Sequence, residues 1–554
     1  MSFVNFEFER AVPSGVVTMV EAFFTSMRLQ EVLDELLPYD EEQCKLTPGQ
    51  RLLGLTLCVF GGREALYRVE EFYKDHNLER LFGPGVAAHD FNDDALGRAL
   101  DKLNAAGPKR VFSTLAFQAL TVQEIPWEAV HADTSSVSLY GAYEGYDGPS
   151  FLRLVQGYSK DGHPELNQLM IGLATTRDGI PVFADAMDGN TSDKVWNLKL
   201  VRELSQYLPA ERLRRMLYVA DSALVTKTNL AALAEQGYRF VSRLPGTFGE
   251  ADEVRDAAFA ANAWTDVGAL SPEKNAAQYK VWEVSRSIDG RDYRLVVVHS
   301  TSLDKRKQKQ LDALIAKEAK EIEQAAAEEA AVRYNCREDA ETGFRRFVQP
   351  LYWLLDHTVE EVEERHYSHP GRPRKDEQPK VERYFRLVIK PEKQKEDAIA
   401  LLRARLSAFV LISNDRKRTA LDLLREYKEQ MSVEQGFRFI KEPRHIGPVF
   451  LKRPDRIEAF AYVQAIALLI YTLIQKKIRD SLAKAERPLQ VSWRGETRNP
   501  TAQIILDMME RIQTVTARIG PKRYKIYTKL SDEQRYILAL LGLDPMLFSQ
   551  PKPT

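Results

Sequence analysis

The order of sequence periodicities from residue 126 onward constrains the fold of this 554-residue chain more than any other feature. PWEAVHADTSSVSLYG alternates with the two-residue period of a strand, and NQLMIGLATTRDGIPVFADAMDG reads as two strands joined at Arg177-Asp178-Gly179. The Asp-Gly pair there is a hairpin signal. NTSDKVWNLKLVRELSQYL has helical spacing, with Ser192 or Asp193 as its cap. RMLYVADSAL is a short apolar strand, VTKTNLAALAEQGY a helix and RFVSRL a further strand. Three strands, helix, strand, helix, strand is the pattern of a mixed α/β sheet.

The flanking segments read differently. Residues 1–125 are helical: VTMVEAFFTSMRLQEVLDELL and TPGQRLLGLTLCVFGG carry helical spacing, and Thr47-Pro48 starts the second with a cap and a first-turn proline. FNDDALGRALDKLN is another helix, capped by Asn92 or Asp93. Regular alternation is lost over 245–405. There YKVWEVSRSI and YRLVVVHS form a hairpin around Asp289-Gly290, and the Ala-, Glu- and Lys-rich run 303–334 forms a long exposed helix. YFRLVIKP and SAFVLISN return to strand. The predicted organisation is a helical domain at 1–125, an α/β domain at 126–244 that resumes at 406–480, an insertion at 245–405, and a helical region at 481–554.

Composition narrows the class without naming a function. A chain of this length exceeds the roughly 250–300 residues at which single cores stop growing. Its 44% hydrophobic and 28% charged residues are those of an ordinary globular protein. The net charge of −1 announces no nucleic-acid binder, so any such surface must be local. Cys44, Cys58 and Cys336 form no CxxC pair, which suits a reducing cytosol, and the N-terminal MSFVNFEFERAVPSG is not a secretory signal. The most apolar run, Ala459–Ile474, falls short of the roughly 20 residues of a membrane span and reads as a buried core helix.

Three carboxylates stand out. Asp133 lies in His131-Ala-Asp133-Thr-Ser on a strand, where it is either a metal ligand or a turn cap with Thr134 and Ser135. Asp221 ends the apolar strand YVAD, and is either a ligand or the N-cap of the next helix. Glu434 sits in the helical window Tyr427–Lys441, on one face with Arg438 and Lys441. Ser432 and Gln435 also fit a capping box there, which would make Glu434 a first-turn acid. Two strand-end aspartates followed by a glutamate on a later helix is how a ribonuclease-H-like sheet gathers ligands for two Mg²⁺ ions.

The window 427–441 resembles the Tyr-x2-Arg-x3-Glu-x6-Lys signature of DDE transposases from bacterial insertion sequences, in the branch of insertion-sequence family four and its relatives. Tyr427, Glu434 and Lys441 match at the right spacing; Gln430 stands where the signature has arginine, and Arg438 or Lys428 would have to replace its charge. HADTSSVSLYG, GYSKDGHPELNQLMIGL, GIPVFADAMDGNTSD and YVADSALVTKTNL are similar to segments of the same family, in the same order. The resemblance covers roughly 126–245 and 405–475.

It implies a ribonuclease-H-like catalytic domain split by an insertion, with Asp133, Asp221 and Glu434 as catalytic and metal-binding residues for two Mg²⁺ ions, or Mn²⁺ in their place. The implied activity is cleavage of the ends of an insertion element and joining of the 3′-hydroxyls to target DNA. The implied partners are double-stranded DNA, as terminal inverted repeats and target, and a second copy of the chain in a synaptic dimer. The implied location is the bacterial cytoplasm, at the nucleoid. Tyr427, Gln430, Arg438 and Lys441 are the expected DNA-backbone residues of the window. Gly371-Arg372-Pro373-Arg374-Lys375 is either a minor-groove element or a solvated loop, and Arg416-Lys417-Arg418 is placed for phosphate contacts. A ribonuclease-H-like nuclease without strand transfer, and an immobilised DNA-binding relative, are the alternatives.

Overall fold

The computed structural model describes residues 6–549 apart from 63, 142, 144–151, 272–274, 304, 368–377, 442–450, 493 and 520–521. The 371–375 stretch, with Arg372 and Arg374, lies outside the described residues. The chain divides into two compact bodies: 1–242, 413–415 and 425–554 form one, and 243–412 with 416–424 the other.

The first body opens with strand β1 (Phe6–Pro13), then helices α1 (Gly15–Ser26), α2 (Leu29–Leu36), α3 (Pro48–Gly61), α4 (Val69–Tyr73), α5 (Leu78–Phe82), α6 (Asp93–Ala105) and α7 (Pro108–Val122). The start of α3 follows the sequence reading. Thr47 Oγ1 accepts from the Gln50 amide at 3.0 Å while Gln50 Oε1 accepts from the Thr47 amide at 3.0 Å, so two orphan donors are satisfied reciprocally. Asn92 is the cap of α6, accepting from the Ala95 amide at 2.9 Å. β1 departs from the all-helical reading of this region. It pairs antiparallel with β15 (Gln513–Ile519), setting Phe8 opposite Ala517.

The central sheet of this body follows. It holds β2 (Ala129–Leu139), β3 (Asn167–Thr175), β4 (Pro181–Asp188), β5 (Leu217–Ala220) and β6 (Arg239–Arg243), with α8 (Asp193–Tyr207) and α9 (Ala210–Arg215) before β5 and α10 (Lys227–Glu235) before β6. In space the strands run β4-β3-β2-β5-β6. β2, β3 and β4 form an antiparallel meander, whereas β5 and β6 run parallel to β2. The strand order thus reverses at β2, with an antiparallel neighbour on one side and, on the other, a parallel neighbour reached through helices. Gly172 on β3 is required by what covers it: a Cβ there would stand 2.2 Å from Cε2 of Trp196 on α8. Only a bare backbone lets that indole lie on the sheet.

The second body carries α11 (Glu250–Ala261), β7 (Thr265–Ala269), β8 (Gln278–Ile288), β9 (Arg291–Ser300), α12 (Lys305–Ala330), α13 (Arg337–Arg346), β10 (Trp353–His366), β11 (Lys380–Gln394), α14 (Glu396–Ser407) and β12 (Phe409–Ser413), whose last residue belongs to the first body. The β8–β9 hairpin turns at Asp289 and Gly290, both with positive φ (52° and 74°), as its Asp-Gly sequence predicts. α11, α13, β10 and α14 were not read from the sequence.

The chain then re-enters the first body. Asn414 accepts from the Phe240 amide at 2.9 Å and donates to the Tyr238 carbonyl at 2.7 Å, while Ser413 Oγ donates to the Phe240 carbonyl at 2.6 Å. Beyond α15 (Ala420–Lys428) and α16 (Met431–Lys441) runs the 31-residue α17 (Pro454–Lys484). By length and composition α17 is able to cross a membrane, which the shorter apolar run did not foresee, yet it is mostly buried inside the body. It packs on α3, α6, α7 and β4. Arg456 on α17 forms a two-pronged pair with Asp101 of α6 at 2.8 and 2.7 Å. The C-terminal region is not wholly helical: with α18 (Ala502–Glu510) and α19 (Asp532–Leu541) it includes β13 (Leu489–Val491), β14 (Gly495–Thr497), β15 and β16 (Lys522–Tyr527).

Candidate functional site

The register between β2 and β5 places the two aspartates. Ala132 is paired with Ala220 in the parallel ladder, so Asp133, the next residue on β2, and Asp221, the first residue beyond β5, stand near one another at the end of that ladder. This is the point where the strand order reverses, the place at which open α/β sheets leave a crevice for ligands. Asp221 also caps the short 3₁₀ turn Ser222–Leu224, accepting from the Ala223 amide at 3.0 Å. Its capping role and its place beside Asp133 are therefore compatible.

Both carboxyls are held in an unfavourable setting for charge. Burial pushes Asp133 from 3.8 up to about 7; Lys160 and the Thr134 amide oppose the rise, and the negative charges of Asp221 and Asp193 add to it. Asp221 is also raised, first by burial, with the Ala223 amide opposing and Asp193 adding. Crowded, half-buried carboxylates rise in this way when the compensating positive charge is insufficient.

Two residues that sequence reading gave no chemical role complete this cluster. Asp193 is the first residue of α8, and it accepts a short hydrogen bond from Thr134 Oγ1. Lys160 lies on the segment running beside β2, where its amide donates to Ser136 Oγ at 2.8 Å. Its ammonium reaches the Thr134 carbonyl at 2.8 Å, the Asp193 carboxylate at 3.1 Å and Asp133 Oδ1 at 3.9 Å. The next residue, Asp161, is ion-paired with Lys441 of α16. The available signal was the segment SKDG, whose Lys-Asp pair carries opposite charges one residue apart.

Glu434 lies in the first turn of α16 and is exposed. α16 packs on β2 and β3, and Gly436 faces Leu173 and Leu468. Leu173 is the residue paired with Asp133 across the β2–β3 ladder, so the glutamate's helix rides over the strand next to the aspartates. Among the described residues, the one set of three ligand-type side chains whose atoms all lie within 4.8 Å of one another is Glu364, His366 and Glu382 on the β10–β11 hairpin. The oxygens of Asp133, Asp221 and Glu434 do not close to that distance.

The window 427–441 is not one helix. α15 ends at Lys428, and Gln430 stands in the break before α16, so Tyr427 and Glu434 are on separate helices. Ser432 falls inside the first turn of α16, not ahead of it, which displaces the capping-box reading. α15 is tied to the sheet through Glu426, which lies 3.6 Å from His131 Nε2 on β2 and 3.8 Å from Arg177 in the β3–β4 turn. Arg438 is exposed and Lys441 half-buried against Asp161. Arg416 and Lys417 are exposed in the second body, and the Arg418 carbonyl accepts from Arg294.

A family model described as a domain of unknown function (DUF4277) matches residues 15–117, the N-terminal helices alone. No curated protein matches the chain. Among solved structures, the chain is similar to one described as the cryo-EM structure of a piggyBac transposase synaptic complex with hairpin DNA. The TM-score is 0.35 and the identity 10%, over 91% of this chain and 82% of that one. A likeness of that degree assigns neither fold nor chemistry.

Proposed function

We propose that this chain is a DNA transposase of the DDE type, built on a ribonuclease-H-like sheet. The observation that carries the reading is that Asp133, within β2, and Asp221, just past the end of β5, each follow the last paired residues of the parallel β2–β5 ladder, Ala132 and Ala220, where the strand order reverses. The order β4-β3-β2-β5-β6, an antiparallel meander continued by two parallel strands, supports the ribonuclease-H-like assignment.

The donor set fits a hard divalent cation. Carboxylate oxygens are the ligands Mg²⁺ takes, and the half-buried Asp133 carries more negative surroundings than Lys160 alone relieves. Asp133, Asp221 and Glu434 would hold two Mg²⁺, or Mn²⁺, which when bound supply charge neutralisation at a phosphodiester and a more acidic attacking hydroxyl. The chain's own part is positional. β2 and β5 fix the aspartates on rigid strands, and α16 supplies the glutamate together with Arg438 and Lys441 for the DNA backbone. Tyr427 and Gln430 are DNA-backbone residues in this reading, and Arg416, Lys417, Arg418, Arg372 and Arg374 are proposed, each on its own, as further phosphate contacts. A second copy of the chain would hold the other DNA end.

The test uses the DNA that brackets the reading frame. With Mg²⁺ the protein is expected to nick that DNA at its ends and to join a supplied pre-cut end to target DNA. Asp133→Ala, Asp221→Ala and Glu434→Ala are each expected to lower both activities at least about 100-fold. Cleavage without joining would reduce the protein to a nuclease. Cleavage indifferent to all three substitutions would sink the site.

A further inference from the structure

Among the described residues, the ammonium of Lys160 is the one full positive charge set against both Asp133 and Asp193. Its hydrogen bonds go elsewhere: to the Thr134 carbonyl at 2.8 Å, Thr134 Oγ1 at 3.1 Å and the Asp193 oxygens at 3.1 and 3.3 Å. At 3.9 Å its approach to Asp133 is electrostatic, longer than a hydrogen bond. Among the described residues, the hydrogen bond that Asp133 Oδ1 accepts comes from the amide of its neighbour Thr134, at 2.8 Å. The lysine therefore offsets charge at Asp133 while leaving the oxygens of that carboxylate open to a ligand.

The anchoring is local and specific. The Lys160 amide is fixed on Ser136 Oγ, so the segment is pinned to β2 three residues beyond Asp133. Asp193, the other carboxylate on the ammonium, is held by the Thr134 hydroxyl and begins α8, whose Trp196 lies on Gly172. An arginine or lysine placed at random on a surface makes none of these second attachments.

We propose that Lys160 is a positioning residue that serves as a built-in counter-cation, held by Asp193 and Thr134, which a divalent ion arriving at Asp133 must overcome. The proposal rests on the reading of Asp133 as a cation ligand. It assigns Asp193 to the same electrostatic unit as the holder of the lysine. A double positive charge bound at Asp133 faces Lys160 at close range, and their repulsion weakens cation binding in the DNA-free protein. A DNA phosphate brought to the site would draw the ammonium toward itself and lift that opposition, so that cation binding tightens when DNA is present.

The full chain without DNA is titrated with Mn²⁺, following the free-ion signal by electron paramagnetic resonance, for wild type, Lys160→Met, Lys160→Arg and Asp133→Asn. Lys160→Met is expected to bind Mn²⁺ about tenfold more tightly than wild type, and Lys160→Arg, which keeps the charge, to stay near wild type. A purely structural lysine would give the opposite sign, since loss of its anchors would loosen the site. Mn²⁺ binding that depends on Asp133 but is unchanged or weakened in Lys160→Met overturns the counter-cation while leaving the metal site standing. No Asp133-dependent binding in any variant overturns both. Should Lys160→Met prove unstable, the Mn²⁺-induced rise in its Tm is the second readout: a rise larger than that of wild type supports the proposal, and an equal or smaller one overturns it.

Discussion

Asp133 is a carboxyl whose folded-state proton affinity lies well above that of an unfolded chain, and that difference is measurable without any substrate. Between pH 4 and 7 the folded protein keeps a proton on Asp133 that the unfolded chain has released, because burial pushes the group to about 7. The folded state then binds more protons, so stability contributed here is present at low pH and falls as pH rises through that window. Asp133→Asn removes the fall. In EDTA the variant's Tm is expected to gain on wild type as pH goes from 4 to 7.5, by on the order of 2–4 °C. A Tm difference that stays flat across that range would show that Asp133 is not held protonated. Legibility at this scale divided by distance along the chain. Asp133 and Asp221 were readable because each is tied to its own strand, Asp133 within β2 and Asp221 just past the end of β5. Lys160 was not, because its partners at 133–134 and 193 are brought to it only by the finished sheet. Asp193 was read as a possible helix cap, and nothing local revealed that Thr134 would bond to it.

Gly172 links the sheet to the helix that presents Asp193, and a substitution there acts on the element rather than on the chemistry. In Gly172→Ala the new methyl would lie 2.2 Å from Cε2 and 2.4 Å from Nε1 of Trp196, so α8 must shift off the sheet. The expected cost is about 1–3 kcal/mol, the usual penalty of overpacking, read as a lowered urea midpoint with unchanged m-value. A midpoint equal to or above wild type would mean that α8 has room to spare. Elements governed by local signals were legible: the caps of α3 and α6, the Asp-Gly hairpin of β8 and β9, the alternation of β2 and the short apolar run of β5. Those governed by distant partners were not. β1 is a strand because β15, some 500 residues later, offers it an edge. The capping-box alternative had a helix begin at Ser432, with Glu434 in its first turn; α16 instead begins at Met431, and helical spacing continues across Gln430 without a proline or glycine to mark the break.

For the whole molecule, the notable fact is where the chain leaves and rejoins its first body. Residues 413–415 return alongside β6, pinned by Ser413 and Asn414 to the backbone of Tyr238 and Phe240. Asn414→Ala removes one donor and one acceptor from that seam, at an expected cost of about 1–3 kcal/mol. The Phe240 amide should exchange with deuterium markedly faster in the variant, and undiminished protection would show that the seam holds without the side chain. The sequence showed a change of texture near 245 and a recovery near 405, because a mixed sheet and its interruption differ in periodicity. Which residues close the seam was beyond its reach, since Asn and Ser before a basic run carry no such signal.

That seam has a consequence for synthesis on the ribosome. The sheet of the first body is left with an open edge at β6, and α16 and α17 have not yet been made, when residue 242 emerges. Translation of residues 243–412 takes roughly 10–30 s at about 5–20 residues per second. Throughout that interval a strand with unpaired backbone groups waits among other nascent and folded chains, the setting in which edges recruit the wrong partner. The speed at which the intervening body is translated, and not only its presence, therefore bears on how much of this protein reaches its native form.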